Sequence, residues 1–394
     1  MNNIKKSIVQ IYVGALSYSI KLNNALNNDR YKSDYLTMYP LFKIDKKFKK
    51  KNTVISKSFF STIFFFLYKF ERFHLIKKLN SFIQKIAYSR IEKFILKFIN
   101  NYDIFIIQAT LGKKILPFLK DKTTILEKWS AHVTLEKNIS EKEFKKRNIK
   151  IPFGQLGSSN TFQYNQELEE YKLVDKILVP SKFAYQSFID QGFNSSKLKI
   201  IELAGFNSKN FYPATYPNKK FFEITYVGRI TLNKGIAYLI ESFQKIKIRN
   251  KKLKMFGIIE QDAKEYFKNI VFSDNIELLQ PIKHKDLKNV YSSSNVLVQP
   301  SLFDGWSMVV TEALACGCPV ITTTNVGAAD IIQNGINGYV VPIMDSNSIT
   351  ECLYKISKDE TKSFLNRDNI AKTVHEYKDW NKYSSNYRAL IENF

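Results

Sequence analysis

Residues 299–321 read QPSLFDGWSMVVTEALACGCPVI. The run just before and into it, residues 295–299 (NVLVQ), is short and apolar and stops at Pro300, as a buried strand does. Residues 308–316 are Ala-rich, carry one carboxylate, Glu312, and stop at Gly317, a residue suited to a helix C-cap. Between them Phe303-Asp304-Gly305-Trp306-Ser307 forms a turn that feeds a helix N-terminus. Backbone N–H groups at such an end lack intrahelical partners and carry the positive end of the helix dipole. They can hydrogen-bond a polyhydroxylated ligand, while Asp304 and Glu312 offer acceptors. The two acids are eight positions apart, a little over two helical turns, so one can mark the mouth of a site and the other its wall.

Working outward, residues 223–227 (EITYV) read as a strand that runs into Gly228-Arg229-Ile230-Thr231-Leu232-Asn233-Lys234-Gly235. Ile236, Leu239, Ile240 and Phe243 then recur at helical spacing. A strand, a glycine turn and two cations ahead of a helix suit a diphosphate. Arg229 can take phosphate oxygens bidentately and Lys234 can add a point charge from the other side.

These two segments resemble the nucleotide-sugar motifs of the retaining GT-B glycosyltransferases of the GT4 type. The family pattern of Pro-Ser, then Glu-Gly-Phe-Gly, then Glu-Ala-Met-Ala-Cys-Gly-x-Pro-Val is met by Pro300, Ser301, Asp304, Gly305, Trp306, Ser307, Glu312, Ala313, Leu314, Ala315, Cys316, Gly317, Pro319 and Val320. Asp304 stands where the family has Glu, and Ser307 where it commonly has Gly. The family's Gly-Arg-Leu and Lys-Gly fall on Gly228, Arg229, Ile230, Lys234 and Gly235. The resemblance implies an α/β GT-B fold, two Rossmann-like domains with parallel sheets facing across a cleft. It also implies retaining transfer of a sugar from a nucleotide diphosphate sugar, the donor substrate, with no other cofactor and no metal. Gly228, Arg229 and Lys234 would then hold the diphosphate. Asp304 and the backbone of Gly305, Trp306 and Ser307 would hold the sugar, and Glu312 the ribose. In the family a histidine after a first-domain strand sits in the cleft, which makes His132 a catalytic candidate; a lone histidine there is as readily structural.

The resemblance is strong over residues 176–342 and weak over the first 120. Residues 8–13 (IVQIYV), 103–108 (DIFIIQ), 123–127 (TTILE) and 176–179 read as parallel strands of a first domain. Gly14-Ala15-Leu16-Ser17 after the first of these fits a structural turn or a ligand loop equally. Glu127 reads as a strand-end acid. Residues 135–159, charged and with Pro152, Gly154 and Gly157, are expected to be an exposed loop region. Residues 166–174 suit a short helix, and Ser181 an N-cap for residues 182–190. Residues 204–213 (AGFNSKNFYP) resemble the family's interdomain connector. Residues 253–257, 276–279 and 339–341 are later strands, and His284 is expected to be an exposed surface residue. Trp380, Tyr383 and Tyr387 mark a helix expected to cross back to the first domain. The units expected are therefore 1–203 for the acceptor, 204–375 for the donor and 376–394 for the returning helix.

The 394 residues carry a formal net charge of +24, which calls for an acidic partner. Residues 41–100 hold 15 Lys or Arg against 3 Asp or Glu, a net of +12, together with the Phe-rich run 59–67. That region suits core-facing helices with solvated basic faces, some of which lie on an anionic membrane. Cys316, Cys318 and Cys352 make no framework of pairs, and no segment is long enough to span a bilayer. The expectation is a cytoplasmic enzyme, peripheral on the inner face of the membrane, with a glycan or lipid-linked acceptor and no nucleic acid. A sugar-nucleotide epimerase on the same fold, or a non-catalytic basic protein binding membrane or nucleic acid, are the alternatives.

Overall fold

The computed structural model describes residues 6–12, 17–28, 30–37, 54–56, 86, 89–90, 92–152, 162–203, 205–217, 220–358, 364 and 366–393. Residues 14–16, the run 59–67, residues 76–85 of the basic helical pattern, and Gly154 and Gly157 lie outside this set.

Two parallel sheets organise the chain. The first contains β1 (Lys6–Tyr12), β2 (Tyr31–Thr37), β3 (Val54–Ser56), β4 (Ile104–Gln108), β5 (Thr123–Glu127), β6 (Lys176–Val179) and β7 (Leu198–Ile200), in the order β3-β2-β1-β4-β5-β6-β7. The second contains β8 (Phe222–Val227), β9 (Lys251–Phe256), β10 (Ile276–Leu279), β11 (Val296–Gln299), β12 (Val320–Thr323) and β13 (Gly338–Val341), in the order β10-β9-β8-β11-β12-β13. Both are doubly wound, and the order reverses between β1 and β4 and again between β8 and β11. Loops leaving the carboxyl ends of strands at such a reversal leave a crevice between them.

The strands form because both faces are covered. Ile8, Ile104, Ile106, Ile125 and Leu178 enter one core, while Val9, Ile11, Phe105, Ile107, Leu126 and Ile177 enter the other. Alternate residues on each strand therefore face opposite layers, and all are apolar, as in a parallel sheet buried on both sides. The helices whose bounds are described include α1 (Ser17–Leu26), α2 (Val133–Lys146), α3 (Phe162–Leu173), α4 (Lys182–Ile189), α5 (Ile236–Lys245), α6 (Gln261–Phe267), α7 (Leu287–Ser293), α8 (Met308–Ala315), α9 (Ser346–Lys358), α10 (Arg367–Lys372) and α11 (Asn381–Glu392).

Helix α2 corrects the expectation of a loop over residues 135–159 as far as Lys146; residues 153–159 lie outside the described residues. Its buried positions are Val133, Glu136, Ile139, Ser140, Glu143 and Phe144, a helical stripe in which half the residues are polar. Buried partners make that stripe viable. Lys128 Nζ lies 3.4 Å from Glu136, and Arg147 Nε donates to Glu143 at 2.9 Å.

The carboxyl ends of the two sheets face each other. Gly305, beyond β11, rests against the Trp129 carbonyl beyond β5, so closely that a Cβ there would overlap it. The Lys182 N–H, at the start of α4, donates to Asp330 Oδ2 at 3.0 Å. The last turn of α2 meets α5, where Tyr238 donates to Glu143 at 2.5 Å and Arg147 reaches Glu241 at 2.5 Å. Helix α11 packs on α1, and its Tyr387 hydroxyl donates to Glu127 at 2.7 Å.

Candidate functional site

The turn after β8 is fixed from below. Asp262, buried on α6, accepts from Thr231 Oγ1 at 2.5 Å and from the Leu232 N–H at 2.7 Å. The Tyr226 hydroxyl donates to the Arg229 carbonyl at 2.6 Å, and burial pushes that phenol far above its usual range. Gly235 adopts φ of 71°, and the Pro300 carbonyl occupies the space a side chain would need. Only glycine meets both demands. Leu302 N–H donates to the Asn233 carbonyl at 3.0 Å, which ties this turn to the one after β11.

The two turns bring Lys234 and Asp304 together, with Nζ 2.5 Å from Oδ2 and the side chains 22% and 19% exposed. Arg229 stands apart, 69% exposed, its guanidinium 3.9 Å from Glu260. A charge-neutral pair thus lies at the crevice, with a solvated cation beside it. Asp304 itself is held through its backbone: its N–H donates to the Asn325 carbonyl, and its carbonyl accepts from Gly327, both at 2.9 Å.

Beyond Asp304 the N–H groups of Gly305, Trp306 and Ser307 have no partner among the described residues. The Trp306 side chain is an anchor, 1% exposed, its indole donating to Thr311 Oγ1 at 3.0 Å. Its contribution at the crevice is main chain alone. Ser307 caps α8 at φ of 69° and ψ of 83°, a left-handed conformation that L side chains rarely adopt. Gly228, at φ of 150°, links β8 to Arg229.

Glu312 lies on α8, buried, with both oxygens engaged. His284 Nε2 is 2.7 Å from one and the Tyr291 hydroxyl 3.3 Å from the other. The hydrogen bond to Glu312 raises the imidazole above its ordinary value, against the lowering effect of burial. His284 is 63% exposed, as expected of a surface residue, and its ring nonetheless bonds the buried Glu312. The sequence signal was its position five residues beyond the carboxyl end of β10, on the sheet edge from which the other site loops leave.

His132 requires a larger correction. The ring is not in the crevice but inside the first domain, 2% exposed, with its centroid 5.1, 4.9 and 5.5 Å from those of Tyr171, Phe188 and Phe193. Its Nδ1 accepts from the Thr134 N–H at 3.2 Å, making it the N-cap of α2, and Nε2 has no hydrogen-bond partner among the described residues. Burial, reinforced by the Lys128 cation, pushes its pKa down to about 4. A neutral, enclosed imidazole that caps a helix has a structural role. The strand end still contributes to the crevice, through the Trp129 and Ser130 backbone that meets Gly305.

Comparison with known proteins places this geometry. The pattern describing glycosyl transferases group 1 matches residues 209–375. The capsular polysaccharide biosynthesis glycosyltransferase CapM of Staphylococcus aureus is 35% identical over 43% of this chain and 49% of its own length. The matched segment spans about half the length of the curated relatives. Among solved structures, the sucrose-phosphate synthase of Thermosynechococcus elongatus superposes with a TM-score of 0.70 at 18% identity, covering 99% of each chain. Anabaena Alr3699/HepE in complex with UDP superposes with a TM-score of 0.64 at 12% identity, covering 99% of this chain and 100% of that one. Residues 209–375 therefore match the model of the glycosyl transferases group 1, within a chain that has the GT-B fold.

Proposed function

We propose that the chain transfers a sugar from a nucleotide diphosphate sugar to an acceptor hydroxyl, with the anomeric configuration retained, in the synthesis of a cell-surface polysaccharide or glycolipid. The observation that carries this reading is the meeting of Lys234 with Asp304 at the reversal of the second sheet, beside Arg229 and three N–H groups without a partner among the described residues. A diphosphate would draw Lys234 away from Asp304 and bring Arg229 in, which leaves Asp304 free to accept from sugar hydroxyls. Glu312 would accept from the ribose. The bond from the anomeric carbon to the phosphate oxygen breaks with its electron pair going to the diphosphate, which the two cations stabilise. The acceptor oxygen attacks from the same face, and its proton passes to the departing phosphate oxygen.

Residues 1–203 would take the acceptor, residues 204–375 the donor, and residues 376–394 would return to the first domain. The name of the S. aureus relative supports a polysaccharide pathway, and the UDP held by the Anabaena neighbour supports a uridine donor. The charge of +24 supports a cytoplasmic protein held on the anionic inner face of a membrane. No helix among the described residues is long and apolar enough to cross one.

The deciding experiment presents uridine, guanosine and adenosine diphosphate sugars with lipid-linked acceptors, and reads the new glycosidic bond by NMR. An anomer like that of the donor, formed in excess chelator, is expected. An inverted product, or dependence on added manganese, refutes the retaining or metal-independent part of the reading. Release of an isomerised sugar without a glycoside refutes transfer itself.

A further inference from the structure

Glu312 is held from two directions by one stretch of chain. The connection after β10 gives His284 on the short 3-10 turn His284–Asp286, and the helix that follows, α7, gives Tyr291. The imidazole takes one carboxylate oxygen at 2.7 Å and the phenol takes the other at 3.3 Å. Phe211, from the connector between the domains, sets its ring edge-on to His284, with centroids 5.0 Å apart, and lies 6.3 Å from the Tyr291 ring. The imidazole is thus fixed by a hydrogen bond and an aromatic contact although more than half of it faces solvent. Each carboxylate oxygen has two lone pairs, so one on each remains for a ligand. Two acceptors on one carboxylate match the vicinal hydroxyls of a ribose.

We propose that His284 is the positioning residue for Glu312 at the ribose subsite, and that the protonated pair is the form that binds an anionic nucleotide. This rests on the donor-site reading given above and adds its control by protons. With His284 charged, the His284–Glu312 unit is neutral. With His284 neutral, the unit carries one negative charge toward a ligand whose diphosphate is also negative. Affinity therefore falls as pH rises through the elevated imidazole value, and binding near that value takes up a proton. The other titratable groups facing the pair are Tyr291 and, behind it, Cys316, both pushed far up by burial and silent near neutrality. Lys283, Lys285 and Asp286 flank His284 along the chain.

The test is calorimetry on the full chain with UDP-glucose, whose diphosphate has no ionisation near neutrality, between about pH 6 and 8.5 in buffers of different ionisation heat. Wild type is expected to bind about tenfold more weakly at the upper limit and to take up part of a proton at the lower. His284→Asn keeps an N–H donor without a titration; it should bind with a flat profile and no proton uptake. His284→Phe keeps the ring against Phe211 but loses the donor, and should weaken binding at every pH. Binding by wild type with the same pH slope in His284→Asn overturns this inference alone. Failure of wild type to bind any of the uridine, guanosine, adenosine or cytidine diphosphate sugars overturns the donor-site reading, and this inference with it.

Discussion

Lys234 and Asp304 pair with each other where the two turns of the second domain meet. Lys234→Ala or Arg229→Ala is expected to lower kcat/KM more than tenfold, because a cation that meets the diphosphate as it departs is lost from the transition state. The melting temperature of Arg229→Ala should hardly move, since that side chain is 69% exposed and a surface ion pair contributes about 1 kcal/mol or less. Transfer at the wild-type rate in both variants would remove the diphosphate assignment. Ser307 makes the opposite case. Its left-handed backbone is strained for any residue with a Cβ, so Ser307→Gly should stabilise the protein by about 1 kcal/mol, seen as a higher melting temperature. A lower melting temperature would show that the Ser307 side chain contributes more than its strain costs. At this scale one pair was legible: spacing put Lys234 and Asp304 on two turns that the fold brings together. His132 was not legible in the same way. Its neighbours Tyr171, Phe188 and Phe193 come from distant segments, and nothing near it in sequence tells a cavity from a core.

Strands were easier to read than helices, for a physical reason. β5 and β6 each carry adjacent apolar residues that enter opposite cores, Ile125 and Leu126 in one and Ile177 and Leu178 in the other, so residues 123–127 and 176–179 stand out locally. Helix α2 hides its buried stripe behind Glu136 and Glu143, whose partners Lys128, Arg147 and Tyr238 belong to other segments. The end of β5 offers a test. Burial raises Glu127 to about 7 from an ordinary 4.5, although the Tyr387 hydroxyl bonds it, and the Tyr12 hydroxyl and Trp129 indole act in the same sense. A carboxyl raised in the folded state detracts nothing below about pH 4.5. It takes away stability as pH climbs toward 7, a loss on the order of 3 kcal/mol above that point. Glu127→Gln, which can still accept from Tyr387, should therefore raise the melting temperature at pH 8 and leave it nearly unchanged at pH 4.5. An equal gain at both would mean that the carboxyl does not titrate in this interval.

Charge is a property of the molecule as a whole. Beyond residues 41–100, a cavity of about 480 Å³ opens at the amino ends of β8 and β9, the edge of the sheet remote from the donor site, lined in part by Lys220, Phe221, Lys247, Arg249, Tyr354 and Lys358. Lys247, Arg249 and Lys358 have no carboxylate partner among the described residues, whereas Lys252 and Lys254 nearby are paired with Glu277 and Glu223. Unpaired cations beside exposed aromatic rings favour an anionic bilayer. The protein should sediment with anionic vesicles at low salt and be released at high salt, and should ignore neutral vesicles; equal pelleting with both lipids would reduce the charge to a solvated surface. The returning helix α11 has a consequence for recombination between genes of this fold. Its Tyr387 holds Glu127, and its Glu392 lies 3.5 Å from Arg30, so it belongs in space with residues far upstream. A chimaera made with one crossover near residue 204 would pair a foreign helix with this β5 and α1. One made with two, near residues 204 and 376, keeps each helix with its own partner and should be the version that expresses as folded protein.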